Sequence, residues 1–150
     1  RKRSLEMASY RHILVAVDTS AENAVVIDKA LEIARQNDAR LTLVHIVEYT
    51  GTLYAGDIPL PEDLDLDRRL AEQAEEKLQE LIVQRQLGDI EHLVEIGIPK
   101  REIVRIAEEK GADLIVIGSH GRHGLQLLLG STANGVLHQA KCDVLAVRVS

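Results

Sequence analysis

The stretch DLIVIGSHGRHGLQLLLGST, residues 113–132, decides how the chain is read. It opens on Leu114, Ile115, Val116 and Ile117, bounded by Asp113 and Gly118, the pattern of a short strand buried on both faces. Four glycines follow within 13 residues, at 118, 121, 124 and 130, and the last stands directly before Ser131 and Thr132, where a helical pattern begins. Glycines let backbone N–H groups approach phosphate oxygens with no Cβ in the way, and a helix start adds the positive end of its dipole. Ser131 or Thr132 is expected to supply both a hydroxyl donor and the helix N-cap. Tight turns use glycines too, so the pattern alone leaves two readings, an anion cradle and a structural loop.

Working outward, similar apolar runs recur at 10–17 (YRHILVAV), 40–47 (RLTLVHIV) and 144–149 (VLAVRV), with a more alternating one at 90–96. Between them the apolar period lengthens to that of a helix. Residues 21–37 place Ala24, Ile27, Ala30, Leu31 and Ala34 on one face; residues 63–87 do the same with Leu70, Ala74, Leu78, Leu81 and Ile82. Residues 100–110 turn Ile103, Ile106 and Ala107 inward and stop at Gly111, a left-handed C-cap by expectation, and 131–140 form the last helix. The alternation predicts an α/β fold: an open, doubly wound, five-stranded parallel sheet with helices on both faces. Ligands in such sheets bind outside the carboxyl ends of the strands, where strand order reverses. Residues 48–62 (EYTGTLYAGDIPLPE), with two glycines and two prolines, read as either a lid or a flexible insertion.

Composition removes several functions. The chain is 45% hydrophobic with no Phe, no Trp and three Tyr, so the core is aliphatic and stacking platforms for single-stranded nucleic acid are excluded. Eighteen basic against 24 acidic residues give a net charge of −6, which argues against nucleic-acid or anionic-membrane partners. The one cysteine, Cys142, rules out an intramolecular disulfide and fits a reducing, cytoplasmic setting; it is expected to be partly buried and inert. No apolar run approaches the ~20 residues of a transmembrane helix. The six residues RKRSLE before Met7 read as an expression remnant, leaving 7–150 as a single domain.

Missing motifs narrow the chemistry further. There is no G-x-x-x-x-G-K-[ST] for a P-loop and no G-x-S-x-G elbow; AVDTS, not G-x-G-x-x-G, follows the first strand. Asp18 after that strand can ligate Mg²⁺, act as a base or cap the next helix, but no second acid is placed to assist it. His120 and His123 form an H-x2-H pair with His138 downstream, yet no third ligand stands at a suitable spacing, so no metal site is expected. His45 reads as a hydrogen-bonded core histidine.

In four segments the chain resembles the universal stress protein (UspA) family: ILVAVDTS at 13–20, LTLVHIV at 41–47, DLIVIGSHGRHG at 113–124 and LLLGSTANGVLHQAKCDVLAVRV at 127–149. The resemblance implies strand order 3-2-1-4-5, a homodimer, and a stress-responsive cytoplasmic protein; many members bind ATP or AMP. It implies that Asp18 and Ile46 contact the adenine end, that Ile117 and Gly118 lie along adenine and ribose, and that Gly121, Gly130, Ser131 and Thr132 hold phosphates. His120 is then expected to hydrogen-bond on the phosphate side. Arg122 is either a charge partner for a terminal phosphate or an exposed loop arginine, and magnesium would enter only with bound ATP. The family's ATP-binding pattern resembles G-x2-G-x9-G-[ST], whereas eight residues, 122–129, separate Gly121 from Gly130 here.

The expected function is therefore that of a homodimeric sensor or regulator binding ATP or AMP, with at most slow ATP hydrolysis. The alternative is a nucleotide-independent interaction module, with an unknown protein partner, whose glycine loop is only structural. The apolar last strand is a sheet edge in the implied order, and an uncovered edge invites pairing. A two-fold dimer through Val144, Leu145, Ala146 and Val147 is expected. Phosphorylation of Ser131 or Thr132 would compete with bound phosphate.

Overall fold

The computed structural model describes residues 9–18, 23–48, 61–119 and 130–149, with side chains from 66 onward in the helix that starts at 61. Five parallel strands form one sheet in the order β3-β2-β1-β4-β5: β1 (His12–Ala16), β2 (Arg40–Glu48), β3 (Glu91–Gly97), β4 (Leu114–Gly118) and β5 (Asp143–Val147). Four helices connect them: α1 (Asn23–Asn37), α2 (Pro61–Gln84), α3 (Pro99–Lys110) and α4 (Ser131–Gln139). The expected fold class and strand order both hold.

Strand alternation divides the core into two layers. Ile13, Val15, Leu43, Leu114, Val116 and Val147 face Val26, Ile27, Ala30 and Ala34 of α1 and Leu78 and Ile82 of α2. Leu14, Val44, Ile46, Ile115 and Ile117 face Ile103, Ile106 and Ala107 of α3 and Ala133 and Val136 of α4. β1, at the centre, is buried along Ile13, Leu14 and Val15 without exposure, as expected of a strand covered on both faces.

The boundaries moved for local reasons. β2 runs on to Glu48, and α2 starts at Pro61, where proline's fixed φ suits a first helical turn. The rest of the segment read as lid or insertion lies outside the described residues. α2 stops at Gln84, short of Leu87, because Gln86 turns left-handed at φ 56°. α3 ends as expected on Gly111 at φ 70°, with its N–H returned to the Glu108 carbonyl. α4 departs from expectation: its N-cap is Gly130, and Ser131 is the first helical residue. Neither Ser131 nor Thr132 caps the helix, since each already has helical backbone.

Candidate functional site

The carboxyl ends of β1, β2 and β4 meet at one level of the sheet. Ala16 pairs with Val44 on one side and Ile117 on the other, so two residues further along each chain stand Asp18, Ile46 and Ser119. Val17 anchors this end: its N–H donates to the Val44 carbonyl at 2.9 Å, and its own carbonyl accepts from His45 Nδ1 at 2.7 Å. His45 is therefore the hydrogen-bonded histidine expected, and it fixes the backbone immediately before Asp18. Ile46 and Ile117 are 8% and 6% exposed and share one apolar cluster with Ala133 of α4. An aliphatic wall thus runs from β2 across β4 to the first turn of α4.

That first turn is drawn against the end of β4. Gly130 donates its N–H to the Ser119 carbonyl at 2.7 Å, and Ser119 in turn donates to Val147 of β5 at 2.8 Å. Gly130 is extended at φ −63°, ψ 156°, makes no side-chain cap, and its carbonyl accepts the first helical bond from Asn134. The N–H groups of the opening turn therefore have no side-chain cap, and no acidic residue stands in that turn. Uncapped N–H groups at a helix start are satisfied by water or by an anion. Ser131 is exposed, Thr132 half-buried and Gly130 buried.

Gly118 contributes backbone only. A Cβ there would sit 3.5 Å from Val26 and 3.9 Å from Val149, ordinary contacts on the α1 side, away from the wall made by Ile46 and Ile117. The structure brings together Asp18, Ile46, Ile117, Gly118, Gly130, Ser131 and Thr132. His120, Gly121 and Arg122, and with them His123 of the histidine pair, lie outside the described residues. His138 is exposed on α4, and among the described residues no three His, Cys, Asp or Glu side chains converge as a metal site. A separate open groove of about 610 Å³ lies between α2 and β3, lined by Asp67, Arg68, Ala71, Glu72, Glu75, Val94 and Ile96. It occupies the far edge of the sheet from α4.

Two polar arrangements escaped the sequence reading. At the amino ends of the strands, His12 Nε2 lies 2.7 Å from Thr42 Oγ1, whose hydroxyl donates to Glu91 Oε1 at 2.9 Å. Lys110 completes the chain on Glu91 Oε2, and these two hydrogen bonds, the lysine's first, hold the Glu91 carboxyl below its ordinary range. At the carboxyl ends, on the same face of the sheet as the Ile46–Ile117 wall, the Lys100 stem lies against α4 at Gly135. Cys142 is half-buried, and burial followed by the neighbouring Asp143 carboxylate pushes its thiol up. No helix among the described residues is long and apolar enough to cross a membrane.

Known proteins carry the same architecture. The family model for the universal stress protein family matches residues 9–148. Universal stress protein A homolog 1 of Coxiella burnetii is 41% identical over 138 residues, 92% of this chain and 96% of the relative. The solved structure of UspA from Lactobacillus plantarum is 27% identical, with a TM-score of 0.77 over 94% of this chain and 99% of that one. A universal stress protein solved in complex with cAMP is 25% identical, with a TM-score of 0.60 over 95% and 100% of the two chains. A sheet in the order 3-2-1-4-5, a match along nearly its whole length and relatives of the same extent place this chain in the universal stress protein family.

Proposed function

We propose that the chain binds an adenine nucleotide, ATP or AMP, across the carboxyl ends of β1 and β4 and acts as a homodimeric sensor or regulator. One observation carries the reading: the uncapped first turn of α4 is tied by Gly130 to Ser119 at the level of Asp18 and Ile46. A phosphate taken by the Ser131 and Thr132 end leaves its nucleoside beside the Ile46–Ile117 wall, where Asp18 can accept from an adenine or ribose donor. Apolar contact with a few placed polar groups is what a small-molecule site requires. The relative solved with cAMP supports the ligand class. Gly121, His120 and Arg122 are proposed to complete the phosphate side, with magnesium entering only alongside ATP. No catalytic residue is assigned, and any ATP hydrolysis is slow.

The two sheet edges support the dimer. β3 is guarded by charge: His92 meets Glu75 at 3.0 Å and Glu95 meets Arg105 at 3.7 Å. Residues 144–147 of β5 (VLAV) carry none, and Val144 and Leu145 are only half-covered within one chain. Pairing with a second copy would cover them and satisfy the edge backbone. Leu145→Lys is expected to yield a monomer in sedimentation.

The eight-residue spacing between Gly121 and Gly130 favours the second reading, a nucleotide-independent interaction module. Denaturing the freshly purified protein, identifying released nucleotide by mass spectrometry and titrating ATP and AMP calorimetrically separates the two. Binding that is lost in Gly130→Val supports the nucleotide site. No release and no binding at millimolar nucleotide by a folded protein selects the interaction module.

A further inference from the structure

We propose that Lys100 makes the site count phosphates, favouring ATP over AMP; this rests on the nucleotide reading above and adds to it a residue from another helix. Lys100 is the second residue of α3, directly after Pro99, on the stripe of Ile103 and Ala107 that packs toward α4. Its stem lies so close to α4 that a Cβ on Gly135 would stand 2.5 Å from Lys100 Cδ and 3.0 Å from Lys100 Cβ. Only glycine at 135 leaves that path open. Both helices run back from the carboxyl ends of the parallel strands, and helical side chains lean toward their own N-terminus. The ammonium is therefore carried from Gly135 toward the opening turn of α4, about 6 Å away by helical rise.

Local energetics do not explain a lysine there. The N-terminal turn of a helix disfavours a cation, and here the first turn of α3 lies against Gly135, one turn into α4. The acid of that turn, Glu102, is engaged by Arg105 at 2.6 Å. Arg105 also holds Glu109, and Lys110 holds Glu91, so these α3 cations are neutralised. Among the described residues Lys100 has no ion pair or hydrogen bond. Two helix starts and an ammonium without a described carboxylate make one end of the α3–α4 pair electropositive in a chain of net charge −6. A polyphosphate extending past Ser131 is the anion this arrangement fits, and each added phosphate brings more charge within its reach.

The test titrates ATP and AMP into the full-length wild type, Lys100→Met, Lys100→Glu and Gly135→Ala in magnesium-free buffer. Lys100→Met is expected to weaken ATP about fivefold and AMP less than twofold, with charge reversal larger and the gap narrowing as salt rises. Gly135→Ala is expected to weaken ATP as Lys100→Met does, because its methyl displaces the stem. Lys141→Met, an exposed lysine after α4, should leave both affinities alone. A wild type that binds ATP with Lys100→Met unchanged, or weakened equally for ATP and AMP, overturns the role of Lys100 and leaves the site standing. A wild type that binds neither nucleotide overturns both.

Discussion

Thr42 offers the sharpest test of how the fold is held, because the residue is 1% exposed and its hydroxyl sits between two partners in a largely aliphatic core. It has a single O–H, donated to Glu91 Oε1, so toward His12 it acts as acceptor for the ring Nε2–H at 2.7 Å. Thr42→Val keeps the shape and removes both bonds. The Glu91 side chain is 41% exposed and retains Lys110, so it rehydrates at little cost. His12 is 5% exposed and cannot, which leaves one buried donor without a partner. Such an orphan costs about 1–3 kcal/mol. With a melting temperature moving about 2–4 °C per kcal/mol at this chain length, a loss of about 2 kcal/mol lowers it by about 4–8 °C. Thr42→Ser keeps the hydroxyl and loses one buried methyl, worth about 1 kcal/mol. Guanidinium and thermal unfolding should therefore rank the wild type first, the serine variant second and the valine variant last. A valine variant as stable as the serine variant would refute the reasoning, since packing alone favours valine.

Three further outcomes follow from the same structure. Glu91 titrates below its ordinary value of 4.5 in the folded chain, so its contribution is present above that value and lost as pH falls through the lower folded value; Glu91→Gln should flatten the acid limb of a stability-versus-pH curve there. Gly111→Ala should cost about 1 kcal/mol in chemical denaturation, because its φ of 70° strains any L residue while nothing within 4 Å obstructs the added methyl. Cys142, its thiol pushed up by burial, should react with maleimide slowly at pH 7 in the native chain and at an ordinary thiol rate in denaturant.

Much of this arrangement was legible because period and burial coincide. Runs such as ILVAV and DLIVI admit only a strand covered on both sides, and Gly111 stands where a helical stripe ends. Val26 shows where a single stripe falls short: it is 4% exposed because α1 lies against several strands and buries a broader face than Ile27, Ala30 and Ala34 define. The N-cap at Gly130 was missed because Ser131 is the better capper by type, whereas the tie to Ser119 sets where the backbone turns. His12, Thr42 and Glu91 are far apart in sequence, and only strand pairing makes them neighbours. Lys100 on Gly135 has no local signal at all, since a lysine after Pro99 reads as an ordinary exposed charge.

The polar chain at the amino ends also bears on the ligand end. An aliphatic core tolerates exchange of one Val, Ile or Leu for another, and a strand that slips by two residues keeps every side chain on its original face. Burial therefore does little to choose between registers of β1, β2 and β3. The bonds from His12 to Thr42 and from Thr42 to Glu91 do choose, because each joins a pair of adjacent strands and neither survives a slip. At the opposite end the same slip would carry Ile46 about 6.6 Å along β2, away from the level of Asp18 and Ser119. The register that puts these three residues side by side is thus fixed by hydrogen bonds a full strand length away. A variant that loses those bonds should disturb the site through strand alignment before it touches any residue in it.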